Sequence, residues 1–285
     1  MSTNSTNKQR REEAKHNLDA ALKRRNRAEK AQPLSVVMAS LAVLVVLIGG
    51  IWFAATRTPS TDNSADAAAT TTSTQAPEYA ALATARQTPL ADTVTCAYPA
   101  KGEAAKQVKT PQTANVSTKG TVTVTLNTSA GEIPMELDRS VSPCTVNAIV
   151  SLASQKYFDN TVCHRLTTQG IHVLQCGDPT GTGTGGPGFE FANEFPTDEA
   201  DGSSTPVNYE RCTIAMANAG KDTNGSQFFL NYDDSPLPPN YTYFGQISEE
   251  GLKTLDKIAE AGVQGGGADG TPAEEVKINS ATVAS

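Results

Sequence analysis

The side chains with the most chemistry in this sequence stand among apolar ones. Arg165 follows His164 in Cys163-His-Arg-Leu166, and Gln175 opens Gln175-Cys-Gly-Asp-Pro-Thr-Gly-Thr-Gly183. Asn218 lies in Ile214-Ala-Met-Ala-Asn-Ala-Gly220 and Gln227 in Thr223-Asn-Gly-Ser-Gln-Phe-Phe-Leu230, ahead of Phe244-Gly245. A guanidinium and carboxamides give and take hydrogen bonds; none is a nucleophile or a base at neutral pH. Other chemistries fail on residue type. The three histidines, His16, His164 and His172, form no His-Glu-x-x-His set, so a metal hydrolase is not expected. There is no Gly-x-Ser-x-Gly elbow and no recognisable Ser, His, Asp arrangement. Gly181-Thr-Gly-Thr-Gly-Gly-Pro-Gly188 looks phosphate-cradling, but it lacks a Gly-Lys-Ser/Thr ending and a following helix, so it reads as a loop. Neither a cofactor nor a metal is expected.

The elements that must hold these groups are mainly strands. Val122, Val124 and Leu126 alternate with threonines, Asn127 to Gly131 supplies turn residues, and Ile133, Met135 and Leu137 alternate again, which makes a hairpin. Ser142-Pro143 is a helix start, followed by the stripe Val146, Ile149, Val150 and Ala153. Short strands are expected around 163–166, 173–176, 213–217, 227–231, 242–247 and 276–283. A second helix is expected from Glu249 to Ala261, burying Leu252, Leu255 and Ala259 and stopping at Gly262. About eight strands, two helices and long Gly/Pro loops favour a closed antiparallel β-barrel with helices over its ends.

The rest of the 285-residue chain differs in texture. Residues 1–33 carry nine Lys/Arg against four acidic residues, and 34–55 carry no charge. As a helix that run would be about 33 Å long, enough for a bilayer core of about 30 Å. The basic flank places the N-terminus in the cytoplasm and everything after the span outside it, in a single-pass topology. The run exceeds a secretory h-region, so an uncleaved anchor is expected. Residues 56–93, rich in Thr, Ala, Ser and Pro, read as a disordered tether, and 94–285 as one folded domain. Beyond the span, 14 basic and 26 acidic residues leave a net charge of −12, which repels nucleic-acid phosphates. All five cysteines, Cys96, Cys144, Cys163, Cys176 and Cys212, lie there too, as suits an oxidising compartment. Sequence alone does not choose among the fifteen ways of drawing two bridges.

Taken in order, the motifs around Arg165, Gln175, Asn218, Gln227 and Phe244 resemble the cyclophilins over roughly residues 119–283. Pro236-Leu-Pro-Pro-Asn-Tyr-Thr-Tyr-Phe-Gly245 and the anchor are similar to an extracytoplasmic bacterial branch of that family. The resemblance implies a cyclophilin-like barrel that accelerates rotation of X-Pro peptide bonds in polypeptides folding outside the membrane. It implies that Arg165 is the catalytic arginine, and that Gln175, Met216, Ala217, Asn218, Ala219, Gln227, Phe229 and Leu237 line the substrate groove. Phe229, Met216 and Leu237 would hold the proline ring; Gln175 and Asn218 would hold the flanking backbone. A non-catalytic proline-peptide-binding module or an envelope scaffold is the alternative reading.

The chain also departs from the family pattern. Two extra residues separate Arg165 from Gln175, and Ile171 or Val173 must fill the space of a missing phenylalanine. Tyr241 stands where a histidine is usual, and the sole tryptophan is Trp52. A cyclosporin-type ligand is a partner the resemblance implies, and these departures count against it. The resemblance also puts Cys163 and Cys176 on paired strands, where a bridge would stiffen the strand carrying Arg165. Cys96 would then tie the N-terminal extension to the barrel.

Overall fold

Alternation in Thr121–Thr128 and Gly131–Asp138 makes the longest hairpin among the described residues, with Val124, Leu126, Ile133, Met135 and Leu137 all buried. The computed structural model describes residues 79–200 and 202–284, and every structural statement below concerns these. The expected basic segment 1–33 and membrane span 34–55 lie outside the described residues. Among the described residues no helix is long and apolar enough to cross a membrane.

In chain order, β1 is Thr93–Val94, β2 Val116–Ser117, β3 Thr121–Thr128 and β4 Gly131–Asp138, followed by helix α1, Pro143–Ser154. Then come β5 Thr161–Val162, β6 Arg165–Thr167, β7 Val173–Cys176, β8 Val207–Tyr209, β9 Thr213–Met216 and β10 Phe228–Asn231. The last are β11 Ser235–Leu237, β12 Tyr243–Ile247, helix α2 Glu249–Ala261, β13 Asp269–Gly270 and β14 Lys277–Val283. Strands β1–β2 and β8–β11 form two small pairs. The other ten form one antiparallel sheet in the order β13-β6-β7-β10-β9-β12-β4-β3-β14-β5.

That sheet must curl. β5 is one edge and β6 lies one strand in from the other, yet just Cys163 and His164 separate them in sequence. Three Cα steps reach at most about 11 Å, so the two ends of the sheet are drawn together. The result is a curled half-barrel of ten strands rather than the expected closed barrel of eight. Its edge strands β5 and β13 do not pair with each other, so the chain, not a hydrogen-bonded ladder, brings the ends together.

Period two then sorts the side chains of the middle strands. Leu174, Cys176, Ile214, Met216, Phe228 and Leu230 face the interior, packed with α1 and α2 through Ile149, Leu152, Leu255 and Ile258. Val173, Ala215 and Phe229 face the other way, into a smaller cluster with Val141, Phe195, Tyr209 and Tyr243. This second face carries the candidate site.

Both helices fall where the sequence places them, but one start is built differently. Ser248 accepts a hydrogen bond from Gly251 N at 3.1 Å and caps α2. Ser142 does not cap α1: its hydroxyl donates to Tyr243 O at 2.7 Å instead. The buried carboxylate of Glu194 takes over, accepting from Cys144 N, Thr145 N and Thr145 Oγ1 at 2.7–3.0 Å. Burial raises the pKa of that carboxyl, while these donors and Arg86 pull it down.

Residues 79–93, expected as part of the tether, pack on the folded domain instead. Leu82 is buried in the second cluster, and its N–H donates to Asn208 O at 2.8 Å. Arg86 donates to Val141 O at 2.8 Å and Asp198 Oδ2 at 2.7 Å, and its guanidinium lies 5.6 Å from the Phe195 ring centre. Farther on, Cys96 is bridged to Cys144 at the start of α1. Residues 99–105 run along 186–190, with Lys101 N to Gly188 O and Ala105 N to Gly186 O both 2.9 Å. The stretch from 79 to 117 is thus a strap on the half-barrel.

Candidate active-site groove

Three neighbouring ladders set the groove: Arg165 pairs with Gln175, Gln175 with Phe229, and Phe229 with Ala215. Side chains directly opposite one another share a face. Arg165, Gln175 and Phe229 therefore stand in a row across β6, β7 and β10. They border a cavity of about 160 Å³ completed by Ile171, Val173, Ala217, Asn218, Leu237 and Tyr241.

Its apolar floor is Phe229, nearly buried and packed edge-on against Tyr241 with ring centres 5.6 Å apart. Tyr209 lies behind, 6.3 Å from Phe229, and its hydroxyl donates to Tyr241 O at 2.7 Å, fixing the loop that carries Tyr241. Leu237 comes from β11, whose pairing with β8 builds a wall outside the main sheet.

The polar wall is a relay. Arg165 Nη1 donates to Gln175 Oε1 at 3.3 Å, and Gln175 Nε2 donates to Gln227 Oε1 at 3.0 Å. Gln227 Nε2 donates to Gly183 O and Gly185 O at 3.0 and 3.1 Å. The glycine-rich loop is held in turn by Asp178, which accepts from the N–H groups of Thr180, Thr182, Gly183 and Gly185. Burial raises the Asp178 pKa, but these donors prevail and hold it below the ordinary value. Gly177, with φ +96°, lets the end of β7 pass close to the chain entering β10: a Cβ there would stand 2.2 Å from Ser226 O. Opposite, Asn218 Nδ2 donates to Asn240 O at 2.9 Å, and Asn218 Oδ1 accepts from Gly220 N at 3.1 Å.

Arg165 has one further partner. Its Nε and Nη2 donate to the two carboxylate oxygens of Asp269 at 2.8 and 2.7 Å. This bond raises the Arg165 pKa and lowers that of Asp269. His164 beside it is driven towards neutrality by burial.

A second, larger cavity of about 570 Å³ adjoins the first and shares Gln175, Ala217 and Asn218 with it. Ala219 and Gln227 line this one, together with the loop 183–190 and Lys101 and Glu103 of the strap. Among the described residues no three His, Cys, Asp or Glu side chains are grouped to hold a metal ion.

One expected site residue is misplaced. Met216 is fully buried on the interior face of β9, opposite Phe228, and lines neither cavity. Its neighbour Ala215 occupies the pocket face, and Val173 of β7 supplies the apolar wall instead. The other expected residues line one cavity or the other. Cys163 and Cys176 are bridged and flank Arg165 and Gln175; Cys212 is free. Sequence reasoning missed Asp269 and Tyr209. Asp269 sits in a glycine-rich run whose strand pairing has no local signal, and Tyr209 reads as an ordinary core aromatic.

The family model for cyclophilin-type peptidyl-prolyl cis-trans isomerase/CLD matches residues 122–283. A probable peptidyl-prolyl cis-trans isomerase B of Mycobacterium tuberculosis (strain ATCC 25618 / H37Rv) is 56% identical over 192 residues, covering 65% of this chain and 62% of the relative. The protein of the same name from Mycobacterium leprae (strain TN) is 54% identical over 194 residues, covering 66% of each. The chain thus spans less than two thirds of the length of these relatives. Among solved structures, a Cryptosporidium parvum cyclophilin type peptidyl-prolyl cis-trans isomerase in the presence of the dipeptide Ala-Pro is 30% identical. It covers 57% of this chain and 99% of that one, with a TM-score of 0.48. A family match running from β3 to the last strand takes in the entire curled sheet and every groove residue on it, and the chain belongs to the cyclophilin-type peptidyl-prolyl cis-trans isomerases.

Proposed function

We propose that this chain catalyses cis–trans isomerisation of X-Pro bonds in polypeptides. The observation that carries the reading is a charged guanidinium held at the rim of a cavity of about 160 Å³ whose floor is apolar. Amide resonance sets a barrier of about 18–20 kcal/mol, and unaided exchange takes tens to hundreds of seconds. No bond breaks, so the catalyst has to bind the twisted amide better than either planar form. As the amide twists, the prolyl nitrogen regains its lone pair. A hydrogen bond from Arg165 to that nitrogen exists in the transition state alone, and the apolar surroundings strengthen it. Phe229, Val173, Ile171 and Leu237 receive the proline ring; Gln175 and Asn218 offer amide groups to the flanking backbone.

The test is exchange spectroscopy on a short proline peptide with the full chain and its Arg165→Ala variant. The expected result is catalysed exchange that falls about 100-fold in the variant, with peptide affinity nearly kept. Peptide binding without exchange would make the chain a proline-peptide-binding module.

We further place this domain outside the cytoplasmic membrane, anchored by residues 34–55. The uncharged run, its basic flank and the two disulfides support that placement. Protease added to intact cells should remove the domain; full protection would overturn the placement.

A further inference from the structure

The groove uses one face of Arg165, and the other face is occupied. β13 is the outermost strand next to β6, with Asp269 opposite Thr167 and Gly270 opposite Leu166. Arg165 lies two residues before Thr167 on the same face, so Asp269 is its diagonal neighbour, within reach of a long side chain. The carboxylate takes Nε and Nη2 together, and Gln175 takes one N–H of Nη1. Of the five N–H groups of an arginine, three are engaged. One remains on each Nη, and the carboxylate contacts neither of them. Arg165 and Gln175 line the smaller cavity and Asp269 lines neither, so the carboxylate stands behind the guanidinium and not beside a substrate.

Fold stability does not account for this pair. Both side chains are about half exposed, at 41% and 54%, where an ion pair contributes little. β13 is two residues long and hangs on a run with glycine at 265, 266, 267 and 270. What the bidentate contact does fix is the plane of the guanidinium, since two parallel bonds leave no rotation about the last side-chain bonds.

We propose that Asp269 is a positioning residue for the isomerase reaction, holding Arg165 from behind so that its free N–H edge faces the twisting amide. The inference rests on the isomerase reading above. Two effects of the carboxylate oppose each other: it pre-orients the donor, and its charge weakens the positive field at the prolyl nitrogen. Orientation dominates, because the hydrogen bond has to be in place when the lone pair appears.

The experiment measures kcat and KM for peptide exchange in the full chain and in Asp269→Ala, Arg165→Ala and the double variant. Asp269→Ala should lower kcat about tenfold with KM within about twofold. In the Arg165→Ala background it should have no further effect, because its action passes through Arg165. Asp269→Asn keeps the shape and loses the charge; a fall of about threefold is expected, along with faster solvent exchange of the Arg165 Nε–H proton. An unchanged or increased kcat in Asp269→Ala would overturn the proposal, as would an equal loss in both backgrounds, which would mark a role in the fold of the loop. Peptide binding without catalysed exchange in the full chain would overturn the isomerase reading and this inference with it. Undiminished exchange in Arg165→Ala would remove Arg165 from the reaction and so overturn this inference alone. A collapse in Arg165→Ala without any change in Asp269→Ala would overturn this inference alone.

Discussion

Met216 and Phe229 lie on adjacent strands within one apolar stretch each, and the phase of the alternation decides what each does. Phe229→Ala removes the floor of the cavity; peptide affinity should drop at least about tenfold, with a stability loss of about 3–5 kcal/mol. Met216→Ala opens a hole in the interior; it should cost about 2–5 kcal/mol while leaving peptide affinity and kcat within about twofold. Chemical denaturation and a peptide titration separate the two. In Ile214-Ala-Met-Ala the sequence shows that neighbours point to opposite faces, but which face is the groove is set by pairing with β10 and β12. That is why the resemblance led to the right motif and the wrong side chain. The pH dependence belongs to single residues as well. Arg165 stays charged, and burial keeps His164 from protonating near its ordinary value of 6.5. The Asp269 pKa is depressed by its pairing with Arg165, so the contact is complete above the ordinary value of 3.8 and is lost as pH falls through the lowered one. We expect kcat to be flat from about pH 6 to 9 and to fall below about pH 4. A bell centred near 6.5 would mean that a histidine controls the rate.

At the scale of elements, two bridges do different work. Cys163–Cys176 closes a separation of 13 residues and fastens the chain just before β6 to the end of β7, the two strands on which Arg165 and Gln175 stand opposite each other. Cys96–Cys144 closes 48 residues and fastens the strap to α1. Replacing the second pair by serine should cost about 4 kcal/mol and the first about 3 kcal/mol in the chain-entropy model. The cheaper loss should nevertheless be the one that lowers kcat, as denaturation curves and exchange assays on the two variants would show. An equal effect on kcat would separate the 163–176 bridge from the groove. The longer strands and both helices were legible because their signals are local; β1, β2, β5, β8, β11 and β13, two or three residues each, were not. The partner of Cys96 and the cap of α1 were not, because each contact joins segments about 50 residues apart. Ser142 looks like a cap until the Phe191–Phe195 region arrives with Glu194.

For the whole molecule, what the sequence concealed is the strap. Residues 79–93 share the Thr, Ala and Pro composition of what precedes them, and the family match begins at 122. Within residues 79–93, Leu82 and Arg86 are two side chains that fasten it, in a stretch with no periodicity to read. Removing residues 1–94 should lower Tm by about 5 °C or more relative to removing 1–78, given about 1.5–3 kcal/mol for burying Leu82 and about 2–4 °C per kcal/mol at this size. Equal melting temperatures would reduce the strap to a decoration. The groove itself was largely legible, since motif residues on β7, β9 and β10 converge wherever these strands pair. Asp269 was not, because the main sheet acquires β13 through tertiary pairing alone.

The Cys96–Cys144 bridge also sets the path of mechanical load. Tension entering from the N-terminal side first strips Leu82 and Arg86 from the half-barrel and then reaches Cys96. There it crosses the sulfurs into the start of α1, so the β3–β4 hairpin, enclosed between residues 96 and 144, carries none of it. With both bridges intact, separations of 48 and 13 residues stay closed to Cα distances of 5.5 and 4.1 Å. At about 3.5 Å per extended residue, a fully stretched chain stays about 200 Å shorter than it becomes once reductant is added.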